Sequence, residues 1–399
     1  MEFSKKLEKF GMSAISSVFA LARDLRAEGR EIVDLCVGEP DFDTPDHVKE
    51  AAHRAALAGD TKYTVIDGTA ALKQAICRKL SRENGLAFAP DEITVGAGAK
   101  TVLHTTLSTV VNPGDEVVLL TPAWVSYAEM LGMLQATGVL ARGETEDGFK
   151  VAPDRLRAAL TENTRAIVLN APSNPAGVAY GRAEYEALAA VLRDYPEVWV
   201  ISDEIYEHVL YSDEPYVSFL NAAPDFRHRT ITVNGVSKAY AMTGWRIGWA
   251  SAPADVILQM RKIISNSTSS PCSVSQAAAV AALDGPKDVL KERNEAYRKR
   301  RDMLVAELAC MAGLKVVKPG GAFYLYPDCG GLLGKSHPQA GVLNSSLDVV
   351  KALLIHHGLA VVHGAPFQHD PAFRLSFAAS EENLRKATAT IRQFVSSLN

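Results

Sequence analysis

Disulfide chemistry is the first thing this chain lacks the means for. Its 399 residues hold only five cysteines, Cys36, Cys77, Cys272, Cys310 and Cys329, an odd number at wide spacing with no C-x-x-C pair. That argues for reduced thiols in a cytoplasm and against a disulfide frame or a zinc site. Charge is close to balance as well, and a net charge of −4 gives no electrostatic reason to expect a nucleic-acid partner. No apolar run is long enough to span a bilayer. The opening Met1-Glu-Phe-Ser-Lys-Lys leads into a mixed polar segment without the apolar core of a signal peptide. Repeats at solenoid periods and low-complexity tracts are missing too. What is there is an ordinary soluble composition, 47% hydrophobic and 22% charged. The length calls for two domains, or for one large α/β domain with a smaller one attached.

The pattern along the chain alternates helices with short buried strands. Thr69 is a good N-cap for a helix running to Asn84, and Gly85 suits its end. Strands are expected at Glu92–Val95, Glu116–Leu120, Arg165–Leu169, Val198–Ile201, Arg229–Val233 and Trp245–Trp249. Most are continuous apolar runs, the pattern of a parallel sheet covered by helices on both faces. After Gly285-Pro286 the character changes. A long charged helix is expected over 287–311, then strand-like segments near Lys315–Val317, Phe323–Tyr326, Ala360–Val362 and Phe373–Phe377, and a last helix from Ser380 with Glu381 and Glu382 in its first turn. The stretch Gly330–Ser346 reads as an exposed loop. The chain is therefore α/β: residues 46–285 form a large domain with a mostly parallel sheet, residues 286–399 a smaller α+β domain, and residues 1–45 an N-terminal segment packing with the smaller one.

In an open α/β sheet, ligands sit outside the carboxyl ends of the strands. Lys238, in Ser237-Lys238, follows the apolar run Thr230–Asn234 and so stands at such an end. An amine there is either desolvated or paired, and both shift its pKa. It is a candidate for Schiff-base chemistry with an aldehyde cofactor. Asp203 follows the strand Val198–Ile201 and suits the protonated nitrogen of a pyridine ring, or a helix N-cap; Tyr206 and Asn174 could reach the ring's phenolic oxygen. Gly96-Ala-Gly-Ala-Lys100-Thr101 is not a P-loop, since G-x-x-x-x-G-K-S/T needs glycine where Thr94 and Ala99 stand. Its small residues before a helix still suit a single phosphate, or merely a tight turn. Arg246, eight positions after the lysine, could clamp that phosphate or form an ordinary ion pair. Arg374, flanked by Phe373 and Leu375, wants a fixed anion, which a substrate carboxylate or a structural acid could supply. Trp124 could stack on an aromatic ring or be core. A metal reading of Asp203, Glu204, Glu207 and His208 matches no zinc spacing.

These motifs occur together, in one order. Gly38-Glu-Pro-Asp-Phe-Asp-Thr-Pro45, Asn174-Pro-Ala-Gly177, Ser202-Asp-Glu-Ile-Tyr206, Ser237-Lys238, Gly244-Trp-Arg-Ile-Gly248, Pro319-Gly-Gly-Ala-Phe-Tyr324 and Arg374-Leu-Ser376 resemble the fold-type I pyridoxal-phosphate aminotransferases, specifically the class I aspartate aminotransferases of bacterial type, nearly end to end. The resemblance implies that Lys238 forms the internal aldimine and shuttles the proton. It implies that Asp203 pairs with the ring nitrogen, that Tyr206 and Asn174 contact the ring oxygen and that Trp124 stacks. Gly98, Ala99, Lys100, Ser237 and Arg246 would surround the phosphate. Tyr63 would reach the phosphate of a neighbouring subunit in a homodimer, and the loop Asn266–Ser270 would border it. Arg374, with Gly38 close by, would bind the substrate α-carboxylate, and Lys100 the distal carboxylate. The segment near Ser13–Ser17 would close with the small domain. Two departures stand out: the family's Asn-Pro-Thr-Gly turn reads Asn174-Pro-Ala-Gly177, and Ile15 replaces a threonine usual in aspartate-specific relatives. The second leaves room for an aromatic, prephenate or broad-range amino-acid aminotransferase. A carbon–sulfur lyase on the same cofactor, or a non-enzymatic effector module, are the readings from other classes.

Overall fold

The computed structural model describes residues 3–11, 15–212 and 214–399, without the side chains at 5, 6, 15–17 and 19. The expectations resting on Ser13 and on the side chain of Ile15 lie outside the described residues.

Seven strands form the central sheet: β1 (Ile93–Ala97), β2 (Glu116–Thr121), β3 (Thr137–Arg142), β4 (Thr164–Asn170), β5 (Trp199–Asp203), β6 (Thr230–Gly235) and β7 (Ile247–Ser251). Their order is β1-β7-β6-β5-β4-β2-β3, and β7 alone runs opposite to the other six. Every residue of β6 and β7 is buried. That explains why neither strand carries a charged residue, since helices cover both faces. The architecture is α/β, as the sequence pattern predicts.

The expected strands are present, with two differences. The edge strand β3 escapes the sequence pattern because Thr137, Gly138 and Arg142 are exposed and no apolar run marks it. The strand placed at Trp245–Trp249 begins only at Ile247, because Arg246 occupies a left-handed turn with φ 56°.

Local signals hold where a side chain closes the backbone. The Thr69 hydroxyl accepts from Leu72 N, and Gly85 ends that helix at φ 64°. The Ser380 hydroxyl accepts from Asn383 N at the start of the helix Glu381–Ser396. The charged helix runs Asp288–Ala309.

The C-terminal part carries a three-stranded antiparallel sheet in the order Val362–His363, Phe373–Ser376, Tyr324–Leu325. Near Lys315 there is only an isolated bridge to Asp328. The stretch 330–346 is not an exposed loop: it carries the antiparallel pair Ser336–His337 with Gly341–Val342, and Leu332, His337 and Leu343 are buried. Val33–Asp34 pairs in parallel with Leu359–Ala360, and one buried cluster joins residues between 18 and 36 to the C-terminal elements.

Because β4, β5 and β6 run parallel in register, their carboxyl ends lie side by side, Asn170 opposite Asp203 and Asp203 opposite Val233. The chain leaves β6 into Val236-Ser237-Lys238 at the same edge. Polar residues from three separate stretches of sequence thereby reach one place.

Candidate active site

A cavity of about 440 Å³ opens over these strand ends. Of the sequence-predicted residues, Gly38, Ala99, Lys100, Trp124, Asn174, Asp203, Tyr206, Ser237, Lys238, Arg246 and Arg374 line it. Gly98 caps the helix that begins at Ala99. Tyr63 does not line the cavity; its side chain stands 94% exposed on the surface.

Lys238 Nζ donates to the carbonyl of Gly38 at 2.6 Å. Burial pushes its pKa down to about 8, helped by the charges of Arg374 and Arg246 and opposed by Glu39 and Asp203. A lysine so tuned holds a useful fraction of free amine near neutral pH, as a nucleophile or general base must.

Asp203, 3% exposed, ends β5. Desolvation raises its pKa to about 6, although the Tyr127 hydroxyl donates to Oδ2 at 2.6 Å and the Ile205 N–H to Oδ1 at 3.3 Å. These donors hold part of the negative charge in place, and a cationic ring nitrogen would complete the pairing. Asn170 fixes the surroundings, donating from Nδ2 to the Asp203 carbonyl at 3.0 Å and accepting from Asn174 N at 3.0 Å.

Arg374 decides between the two readings of its sequence setting. It is 2% exposed, and no carboxylate lies within ion-pair distance of it among the described residues. Its Nη1 donates to Asn174 Oδ1 at 2.9 Å and its Nη2 to the carbonyl of Cys36. Its Nε has no hydrogen-bond partner, and the guanidinium stacks 4.6 Å from the Tyr324 ring. A buried cation held by neutral acceptors alone, with a donor to spare, has the chemistry that suits an anionic ligand.

The rim is built differently. Gly98, at φ 88°, admits no side chain, because a Cβ there would strike the Arg246 guanidinium. The first-turn N–H groups of Ala99 and Lys100 have no acceptor within their helix. Together with the Ser237 hydroxyl and Arg246 they make an anion cradle. Arg246 Nη1 donates to the Thr243 carbonyl at 2.9 Å, so the bland alternative of a side-chain ion pair is not what holds it. Trp124 is half-buried, with Lys100 Nζ 4.9 Å from its ring centroid. Desolvation, then Arg246, lowers the Lys100 pKa.

Two tyrosines enter to which the sequence alone assigns no role. Tyr127 sits three residues after Trp124, one helical turn on, and that spacing was the available signal. Tyr324 exchanges a hydrogen bond with Tyr206 at 2.9 Å between hydroxyl oxygens.

A profile of the family described as aminotransferase class I and II matches residues 30–391. The chain is 46% identical over 396 residues to an aspartate/prephenate aminotransferase of Cereibacter sphaeroides, the match covering 99% of each. Among solved structures it is similar to the aspartate aminotransferase of Rhizobium meliloti, with a TM-score of 0.97 and 44% identity over 100% of both chains. It is also similar to the aspartate aminotransferase of Thermus thermophilus with maleate, with a TM-score of 0.91 and 40% identity over 99% of this chain and 100% of that one.

Proposed function

The chain belongs to the class I and II aminotransferase family, and on that premise we propose that it moves the amino group of aspartate to a 2-oxo acid such as 2-oxoglutarate, by ping-pong turnover with pyridoxal 5'-phosphate in the cavity. The observation that carries this reading is the convergence of Lys238, Asp203 and Arg374 on one cavity, each with a free valence of the right sign. The residues present fit the cofactor: the cradle at Gly98–Lys100, Ser237 and Arg246 suits its phosphate, Asp203 its ring nitrogen, Tyr206 and Asn174 its phenolic oxygen, and Trp124 its ring face. When bound, it supplies an aldehyde to receive the amino group and a ring that withdraws electrons from the carbon being deprotonated.

The protein's own part is binding and proton management. Arg374 takes the α-carboxylate in a charge-assisted pair, with Gly38 leaving room beside it. Lys238, as free amine, takes the α-proton and returns it at the second carbon. Asp203 keeps a proton on the ring nitrogen, steadied by Tyr127. Lys100, at the rim, suits the distal carboxylate. Aspartate and prephenate, the two acids named for the Cereibacter relative, both carry a second carboxylate, so prephenate is the second reading.

We further assign residues 46–285 to a large domain, and 1–45 with 286–399 to a smaller one, a division supported by the pairing of Val33–Asp34 with Leu359–Ala360. A homodimer would bring the exposed Tyr63, and the loop at 266–270, to a second copy's cradle. Five free cysteines favour the cytoplasm.

Borohydride reduction of the cofactor-loaded protein, followed by peptide mapping, is the test. The expected result is a cofactor adduct on Lys238 alone, and aspartate should convert the cofactor to its amine form in one half-turnover. An adduct elsewhere, or none, overturns the assignment; release of pyruvate and a thiol from a β-thio-substituted amino acid, with the aldehyde retained, would instead make the enzyme a carbon–sulfur lyase.

A further inference from the structure

Outside the cavity lies a second set of buried charges that transamination does not use. Lys79, fully buried in the helix Ala70–Asn84, donates to Glu207 and to Asn84 Oδ1 at 2.7 Å. Glu207 Oε1 also accepts from Asn234 Nδ2 at 2.8 Å, and Oε2 from Asn84 Nδ2 at 2.8 Å. Asn234 Oδ1 accepts from Gly235 N at 2.7 Å. Around this centre, His208 Nε2 meets Glu83 at 2.9 Å, and Asn221 Nδ2 donates to the Asn84 carbonyl at 2.8 Å. None of Lys79, Asn84, Glu207 and Asn234 lines the cavity.

A buried ion pair contributes little net stabilisation, because apolar side chains of the same volume often do as well; what it can supply is fixed geometry. Here the geometry fixed is that of the two strand exits. Glu207 follows Asp203 and Tyr206 out of β5, and Asn234 precedes Ser237 and Lys238 at the end of β6. We infer that Glu207, clamped by Lys79, is a positioning residue that ties the exit of β5 to the exit of β6 and so sets the spacing between Asp203 and the Lys238 amine. The inference rests on the roles given to those two residues above. Helix Ala70–Asn84 supplies the third fixed point, through Lys79 and Asn84.

The test uses the charge-neutral pair K79M/E207Q, in which the carbonyl of the introduced amide still accepts from Asn234 and its NH₂ donates to a turned Asn84. The rate at which cofactor-free protein captures pyridoxal phosphate at Lys238 should fall about tenfold or more, as should kcat, since small misplacements of reacting groups carry such penalties. KM for aspartate should stay within about twofold, because Arg374 is untouched. The isotope effect on kcat with α-deuterated aspartate should rise, as proton transfer to a misplaced amine becomes limiting. The variant N234A cuts the tether to β6 itself, should move the same readouts in the same direction by at least as much, and decides the matter if the double variant does not fold. A lowered melting temperature with capture rate and isotope effect unchanged would make the cluster merely structural and overturn the inference. Failure of the unaltered protein to capture cofactor at Lys238 would instead overturn the site assignment itself.

Discussion

The floor and the rim of the cavity use charge in opposite ways. Asp203, Tyr127, Tyr206, Tyr324 and Arg374 form a floor in which none is more than 4% exposed, whereas Lys100 and Arg246 at the rim are exposed. On the floor a carboxylate is raised to about 6 and a guanidinium is left with an unpaired donor. Desolvation makes such groups chemically particular, since each must be completed by a ligand of matching charge. At the rim, water and salt share the work, and a charge there attracts and sorts ligands more than it tunes them. Lys238, half-buried, feels the charges of both, Asp203 and Arg374 on the floor and Arg246 at the rim.

Removing the intermediary should break the site outright: Lys238→Ala is expected to lower kcat by about 10⁴-fold or more, the upper end for loss of a positioned base. Near-normal turnover in that variant would end the assignment. On the floor, Arg374→Ala should lower kcat/KM for aspartate by about 100-fold, chiefly through KM, as when one member of a buried charged pair is removed. An unchanged KM for every amino acid would take Arg374 out of the site.

Tyr127→Phe sharpens the comparison through pH. In cofactor-free protein the folded value of Asp203, about 6, lies above its ordinary 3.8, so the folded state binds more protons in that interval. Its contribution to stability is therefore present below about pH 4 and is lost as pH rises through about 6. Losing the Tyr127 donor should move the titration of Asp203 up by about one unit, the worth of one such hydrogen bond. Carboxyl NMR titration of both proteins measures it, and coincident curves would deny Tyr127 its role.

At the rim the effect should be smallest. Lys100→Met should cost about fivefold on aspartate, nothing on phenylalanine, and less still at high salt, as for an exposed ion pair. Equal losses on both donors would place Lys100 on the phosphate or in the scaffold.

What the sequence disclosed follows the same division. Lys238, Asp203 and Arg374 were legible because a charged residue beside an apolar strand is hard to place without a partner. Of the floor's neutral members only Tyr206, three residues after Asp203, was legible: Tyr127 and Tyr324 carry no such conflict, and a buried tyrosine reads as core until its hydroxyl finds Asp203 or Tyr206. The edge strand β3 was missed because half its side chains face water. Arg246 was found as a residue but placed inside a strand, since nothing in Trp245-Arg-Ile-Gly248 announces a left-handed turn at a non-glycine position. The exposed Tyr63 has no partner within its own cavity, and only family resemblance gave it a task.

The three residues Cys36, Val37 and Gly38 carry a consequence of their own. The carbonyl of Cys36 steadies Arg374, the carbonyl of Gly38 holds the Lys238 amine, and Gly38 packs so close to Tyr324 that a methyl group would not fit. An amino acid that engaged the guanidinium with one end and freed the amine with the other, as proposed, would pull on one tripeptide from both sides. On the proposed binding mode that short span would act as a mechanical AND gate, relaxed only when carboxylate and amino group arrive on the same molecule.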